Sequence, residues 1–96
     1  MRERMILDKT AVPRLAPHMR LRFDHARAVW AVQAPERAFL LDEAAHAILS
    51  RCDGKTAIAA VIDDLCRHFA DAPPDVIEKD VLALLQDFAD KGVVAA

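Results

Sequence analysis

The sequence predicts an α+β domain, an antiparallel three-stranded sheet followed by three helices. Three observations carry that expectation. Between His18 and Leu41 the apolar residues alternate in short runs separated by brief polar breaks, the pattern of half-buried strands joined by tight turns. From Asp42 onward they recur every three or four residues, the spacing of one helix face. Helix punctuation stands at Asp42, Gly54, Pro73-Pro74 and Gly92, and divides the second half of the chain into three.

Residues 1–13 have no clean period; Ile6-Leu7 and Val12-Pro13 are candidate anchors for an arm over residues 1–12, ahead of a domain over 13–96. Pro17 disfavours a central strand just before His18. From there Met19, Leu21 and Phe23 point one way and Arg20, Arg22 and Asp24 the other. His25-Ala26-Arg27 reads as a turn. A second strand spans Val29–Ala34, with Trp30 and Val32 on one face. Pro35-Glu36-Arg37 interrupts it, and Ala38–Leu41 forms a short third strand. Connections this short favour an antiparallel meander.

Asp42 is a good N-cap, since its carboxylate can accept a bond from an orphan amide of the first turn. Ala45, Ile48, Leu49 and Cys52 then follow one face, Gly54 is expected to close the helix in the left-handed conformation, and Thr56 is expected to cap the next. The second helix spans Ala57–Phe69 through Ile58, Val61, Ile62, Leu65 and Phe69. Two prolines break the chain at Pro73-Pro74. The third helix runs from Asp75 or Val76 to Lys91 and stops at Gly92. Its main stripe is Ile77, Val81, Leu84 and Phe88. Leu82, Leu85 and Ala89 make a second stripe about 100° round the axis, by the helical period. One packed layer needs only one stripe, so the second points to a partner or a wider core.

The 96 residues suit one small domain, and 54% hydrophobic with 29% charged residues is a globular rather than a disordered composition. Apolar runs fall far short of a membrane span, and Met1-Arg2-Glu3-Arg4-Met5 shows no secretory signal, so a cytoplasmic location is the default. The net charge of −2 divides into +4 over residues 1–30 and −6 over residues 31–96, either a solvated surface or a basic half that meets an acidic partner.

Signs of catalysis are missing. The only glycines are Gly54 and Gly92, so no phosphate-cradling loop exists. His18, His25, His46 and His68 lack metal-ligand spacing, and no cofactor or metal site is expected. Cys52 and Cys66 lack CxxC spacing and read as core thiols. Nothing marks Ser50 as a nucleophile. Asp63-Asp64 and Asp87/Asp90 read as solvated helix faces. Two helices joined at a glycine, with strands as a wing, suggest a winged-helix DNA-binding module, but a recognition helix should be basic. The second helix carries Asp63 and Asp64 against Arg67, and the third Glu78, Asp80, Asp87 and Asp90 against Lys79 and Lys91. No nucleic-acid partner is expected.

Several motifs stand together: Arg20-Leu21-Arg22-Phe23-Asp24, Arg27, Trp30, Ala34-Pro35-Glu36-Arg37, Leu41-Asp42 leading into Ala45, Ile48 and Leu49, then Cys52-Asp53-Gly54 with Thr56, Asp80-Val81, Leu84-Leu85, and Gly92-Val93-Val94. Each alone is weak, but the Ala-Pro-Glu-Arg turn, the Cys-Asp-Gly turn and the late Asp-Val in combination are specific. On these the chain resembles the PqqD family of pyrroloquinoline quinone biosynthesis, from about Pro13 to Val94. The family often has Asn at the position of Asp42, which keeps the cap chemistry, and a more aliphatic strand than Ala31-Val32-Gln33-Ala34. The resemblance implies a winged-helix-like recognition domain that is not itself an enzyme. It implies binding of the leader part of the precursor peptide PqqA and its presentation to the radical S-adenosylmethionine enzyme PqqE, which crosslinks a glutamate to a tyrosine. It also implies that the leader adds a strand beside the third strand, against the third helix.

The residues offer a physical reason for such a site. Ala38–Leu41 is expected at a sheet edge, and Phe39-Leu40-Leu41 has no charge or proline to blunt it. The expected peptide contacts are Arg37, Ala38, Phe39, Leu40 and Leu41, with the shoulder Leu82, Leu85 and Ala89 or the opposite margin at Val81 and Phe88. The alternative is a purely structural role, as a monomer or a homodimer with exchanged strands.

Overall fold

The computed structural model describes residues 5–96. A two-residue strand, β1 (Arg14–Leu15), precedes the sheet proper. The sheet is β2 (Arg20–Asp24), β3 (Val29–Ala34) and β4 (Arg37–Leu41), antiparallel in the order β2-β3-β4. Three helices follow: α1 (Glu43–Leu49), α2 (Ile58–His68) and α3 (Pro74–Asp90). A last short strand, β5 (Val94–Ala95), returns to pair with β1. The winged-helix-like α+β fold is therefore present, with β1–β5 as an addition the alternation did not reveal. Pro13 and Pro17 confine β1 to two residues, because neither can donate to a ladder.

Local chemistry accounts for the turns. Asp24 accepts from the Arg27 amide at 3.1 Å and pairs with its guanidinium at 2.9 Å, which closes the β2–β3 turn. Pro35 supplies a φ near −65° by its ring and Glu36 sits at φ 68°, the sign pattern of a type II turn between β3 and β4. Register then places Phe39 opposite Val32 and Leu41 opposite Trp30. Val32 is fully buried and Leu41 nearly so, whereas Phe23 and Trp30 on the same face run past the helices and stay 39% and 37% exposed. Phe23 is thus not the core residue its alternation implied. It meets Trp30 edge-on at 5.6 Å, and Trp30 stacks on His46 at 4.4 Å.

Asp42 caps α1 as expected, its Oδ1 accepting from the Ala45 amide at 2.8 Å. The end of α1 differs. The helix stops at Leu49, and Gly54, although at φ 75°, lies in the following connector. After Leu49 the ladder gives way to tighter bonds: the Arg51 amide donates to the Ile48 carbonyl and the Cys52 amide to that of Leu49, both at 3.1 Å, while the Ala47 carbonyl accepts from the Ser50 hydroxyl and the Arg51 guanidinium instead. Past the helix, Asp53 Oδ1 accepts from the amides of Lys55 and Thr56. Its backbone also bridges to Arg14, and the Gly54 amide donates to the Pro13 carbonyl at 3.0 Å. Cys52 remains buried outside the helix. Thr56 does not cap α2, because its hydroxyl donates to Asp53 Oδ2 at 3.1 Å. The N-cap is Ala57, which has no side-chain acceptor.

The orphan amides of α2 are satisfied from the amino-terminal segment instead. Ile58 donates to the Ala11 carbonyl at 2.8 Å and Ala59 to that of Lys9 at 2.9 Å. Of the expected arm, residues 1–4 lie outside the described residues; the rest is tied to α3 as well. Gln86 accepts from the Leu7 amide at 2.9 Å and donates to the Met5 carbonyl at 2.7 Å. Lys9 pairs with Glu78 at 2.9 Å, and Leu7 is buried in the core. Pro74 opens α3 as its first residue, where a missing amide costs nothing. Gly92, at φ 78°, ends it in a Schellman pattern: Gly92 donates to the Ala89 carbonyl and Val93 to that of Phe88.

Candidate functional site

The β4 strand is an edge of the sheet: among the described residues no strand pairs with its outer side. The two-residue turn makes Ala34–Arg37 the closing hydrogen-bonded pair. Alternation then turns the amides of Arg37, Phe39 and Leu41 toward β3 and those of Ala38 and Leu40 outward. The opposite edge, β2, is blunted by Arg20, Arg22 and Asp24. On β4 only Arg37, at one end, is charged.

Helix α3 supplies the second wall. The Phe39 and Phe88 rings meet edge-on at 6.2 Å. The Arg37 guanidinium lies 5.2 Å above the Phe39 ring, and Lys91 Nζ lies 5.8 Å from that of Phe88. Lys91 also pairs with Asp87 at 2.9 Å. The floor is therefore two aromatic rings in contact, with a cation over each.

The expected contact residues divide by burial. Arg37, Ala38 and Leu40 are exposed, Leu40 by 56%. Phe39, Leu82 and Ala89 are half-buried. Leu41, Val81, Leu85 and Phe88 are buried, and Leu85 is fully enclosed. The expected shoulder is thus not open. Leu82, Leu85 and Ala89 lie on the margin of α3 that also holds Glu78 and Gln86, where the amino-terminal segment docks. The margin facing β4 is the opposite one, with Phe88 and Lys91 at its end. Leu84, assigned by periodicity to the core stripe, is half-buried there, one turn from Phe88. Periodicity could not separate Leu84 from Leu85, since adjacent leucines both satisfy an apolar stripe.

Along the same margin, toward the start of α3, a cavity of about 180 Å³ opens between α1, the end of α2 and α3. Ala44, Ile48, Phe69, Val76 and Val81 are among its lining residues, with Asp80.

The chain shows other tasks for its reactive groups. Burial pushes the Cys52 thiol up to about 12, with Asp53 adding to the shift, so it stays protonated near neutrality. Both cysteines are free. Among the described residues no group of His, Cys, Asp or Glu could hold a metal ion, and no helix is long and apolar enough to cross a membrane.

An open strand edge, charged only at Arg37, beside an aromatic-floored helix groove is the geometry of domains that accept an extended peptide as an added strand. Comparison with known proteins gives the family. Coenzyme PQQ synthesis protein D (PqqD) matches residues 29–94, from the start of β3 to β5; the chain belongs to the PqqD family. A PqqA binding protein of Rhodopseudomonas palustris (strain TIE-1) is 47% identical, over 93% of this chain and 86% of that protein. Another, of Gluconobacter oxydans (strain 621H), is 48% identical over 78% of this chain and 77% of that one. The solution structure of the PqqD truncation of Methylobacterium extorquens PqqCD, a stand-alone recognition element for ribosomally synthesized and post-translationally modified peptides, superposes with a TM-score of 0.79. That structure is 38% identical and covers 94% of this chain and 95% of its own.

Proposed function

We propose that this protein binds the leader part of the precursor peptide PqqA as an added strand on β4, over α3, and presents it to the radical S-adenosylmethionine enzyme PqqE. The observation that carries the reading is the outward-facing backbone at Ala38 and Leu40 above the Phe39–Phe88 floor. The leader's backbone pairs with those groups, and its side chains rest alternately on the floor and in solvent. Val81 and Leu41 shape the groove from beneath; Phe39, Leu40, Leu84 and Phe88 contact the peptide. The chemistry on PqqA is the enzyme's, and the complex forms in the cytoplasm.

A proline scan of the edge tests this. Leu40→Pro removes one outward donor and leaves the β3 ladder intact, so it should weaken PqqA binding roughly 3–10-fold, the size of one net hydrogen bond, with a nearly unchanged unfolding curve. Phe39→Pro removes a donor aimed at β3 and should damage folding itself. Calorimetric titration with PqqA beside urea unfolding separates the two. Wild-type affinity in folded Leu40→Pro would place the leader elsewhere, and a second copy on the same edge would appear in sedimentation.

A further inference from the structure

We propose that the cavity between α1 and α3 is a side-chain subsite of the peptide groove. It takes one large apolar side chain of the bound peptide, beside a basic group held at Asp80, while Arg37 at the other end takes an acidic one. The inference rests on strand addition at β4 and extends it to the chemistry of the peptide. Position supports it first. Val81 and Asp80 line the cavity and share the α3 margin of Leu84 and Phe88. From Phe88 to Asp80 the helix rises about 12 Å, roughly four residues of extended chain. At the same place β4 passes through Asp42 into α1, where Ala44 forms the other lip. A strand laid along Ala38–Leu41 therefore leaves the edge at the cavity mouth.

Size and polarity agree. Ile48, Leu65, Ile77 and Val81 make a buried floor, whereas Ala44, Val76 and Asp80 at the mouth are exposed. Val76 is 45% exposed, one of few large apolar side chains left open to water. An apolar cavity of about 150 Å³ accommodates a benzene-sized group, so 180 Å³ admits one leucine, isoleucine or aromatic side chain. Charge then orients the peptide. Asp80 stands at the cavity mouth, and Asp71 and Asp75 adjoin the lining residues Ala72 and Val76. At the far end of the groove Arg37 lies over Phe39. A peptide with a basic, apolar-anchored end and an acidic residue about four positions away meets opposite charges at both ends.

The test is calorimetric titration of the full chain with PqqA and with single-alanine variants of PqqA. Val76→Asp puts a charge at the mouth, and Ala44→Phe fills it. Each should weaken PqqA at least 10-fold, and Val76→Asp should leave the thermal midpoint unchanged. One large apolar PqqA residue should lose its contribution in the Val76→Asp background, as a double-mutant cycle reads it. Asp80→Lys should weaken PqqA about 5-fold in a salt-dependent way, and a glutamate in place of the adjacent basic PqqA residue should restore it. Wild-type affinity for both Val76→Asp and Ala44→Phe, while Leu40→Pro weakens binding, would overturn the subsite and leave the groove standing. Unchanged affinity in all three would remove the groove reading and this inference together.

Discussion

Gly54 stands at φ 75° in the connector beyond α1, with its amide held by the Pro13 carbonyl. A Cβ there would meet Arg14 Cβ at 3.4 Å, and an L-residue in that conformation costs about 1–2 kcal/mol. Gly54→Val should therefore lower the free energy of unfolding by about 1–2 kcal/mol in urea titration. Asp64 contributes to acid sensitivity, as do Asp8, Asp24 and Asp53, whose carboxylates are also held low by hydrogen bonds. The bond from the Arg51 guanidinium to Asp64 holds the Asp64 carboxylate below its ordinary 3.8. A carboxylate depressed on folding adds stability above its unfolded value and loses it as pH falls through the folded one. Stability should thus drop below about pH 4, and Asp64→Asn should flatten that part of the profile in unfolding curves measured from pH 7 to pH 2.5. The pair joins α1's trailing turn to α2, so the charge belongs to the fold rather than to catalysis.

At the scale of elements, α3 divides its two margins between two extended segments. One margin holds residues 5–9 of the chain itself, through Gln86 and Glu78. The other, with Leu84 and Phe88, faces the open β4 edge. Adjacent leucines separate these roles. Leu85 is fully enclosed, and Leu85→Asp buries an unpaired charge, so it should unfold the domain rather than report on binding. Leu84 is half-buried on the groove side. Leu84→Asp should keep the far-ultraviolet circular dichroism and weaken PqqA by about 1–2 kcal/mol, the range for removing partial apolar burial. Affinity unchanged in a folded Leu84→Asp would move the peptide off this margin.

For the whole molecule, the ends of the chain close the fold. Residues 5–15 cross the start of α2 and the far margin of α3, and β1 then pairs with β5. Stability should consequently depend on the segment before the sheet. Leu7 is 8% exposed within the core cluster, and Leu7→Ala should cost about 2–3 kcal/mol in chemical unfolding. Its effect on PqqA affinity should be small, because that segment occupies the margin away from β4. A loss of affinity out of proportion to the loss of stability would tie the segment to the peptide site.

Local chemistry by itself determined much of this protein. The β3 bounds, the Asp42 cap, the Pro73-Pro74 break, the Gly92 stop and the meander all follow from side-chain alternation, capping and turn residues within a few positions. So does the uncharged edge at Ala38–Leu41, because charge and proline content are visible in the chain. The family resemblance rests on the same motifs. Tertiary structure decided what covers what. Gly54 carries the left-handed φ expected of it but does not end α1, because the Ser50 and Arg51 side chains take the Ala47 carbonyl and break the ladder first, and the distant Pro13 carbonyl then holds the Gly54 amide. Thr56 yields α2's first turn to carbonyls of Lys9 and Ala11, far away in sequence. Leu85 is core and Leu84 is margin because the amino-terminal segment, not a partner, covers one side of α3. Helical period places side chains around an axis, but only the packing of remote segments determines which side remains open to a ligand.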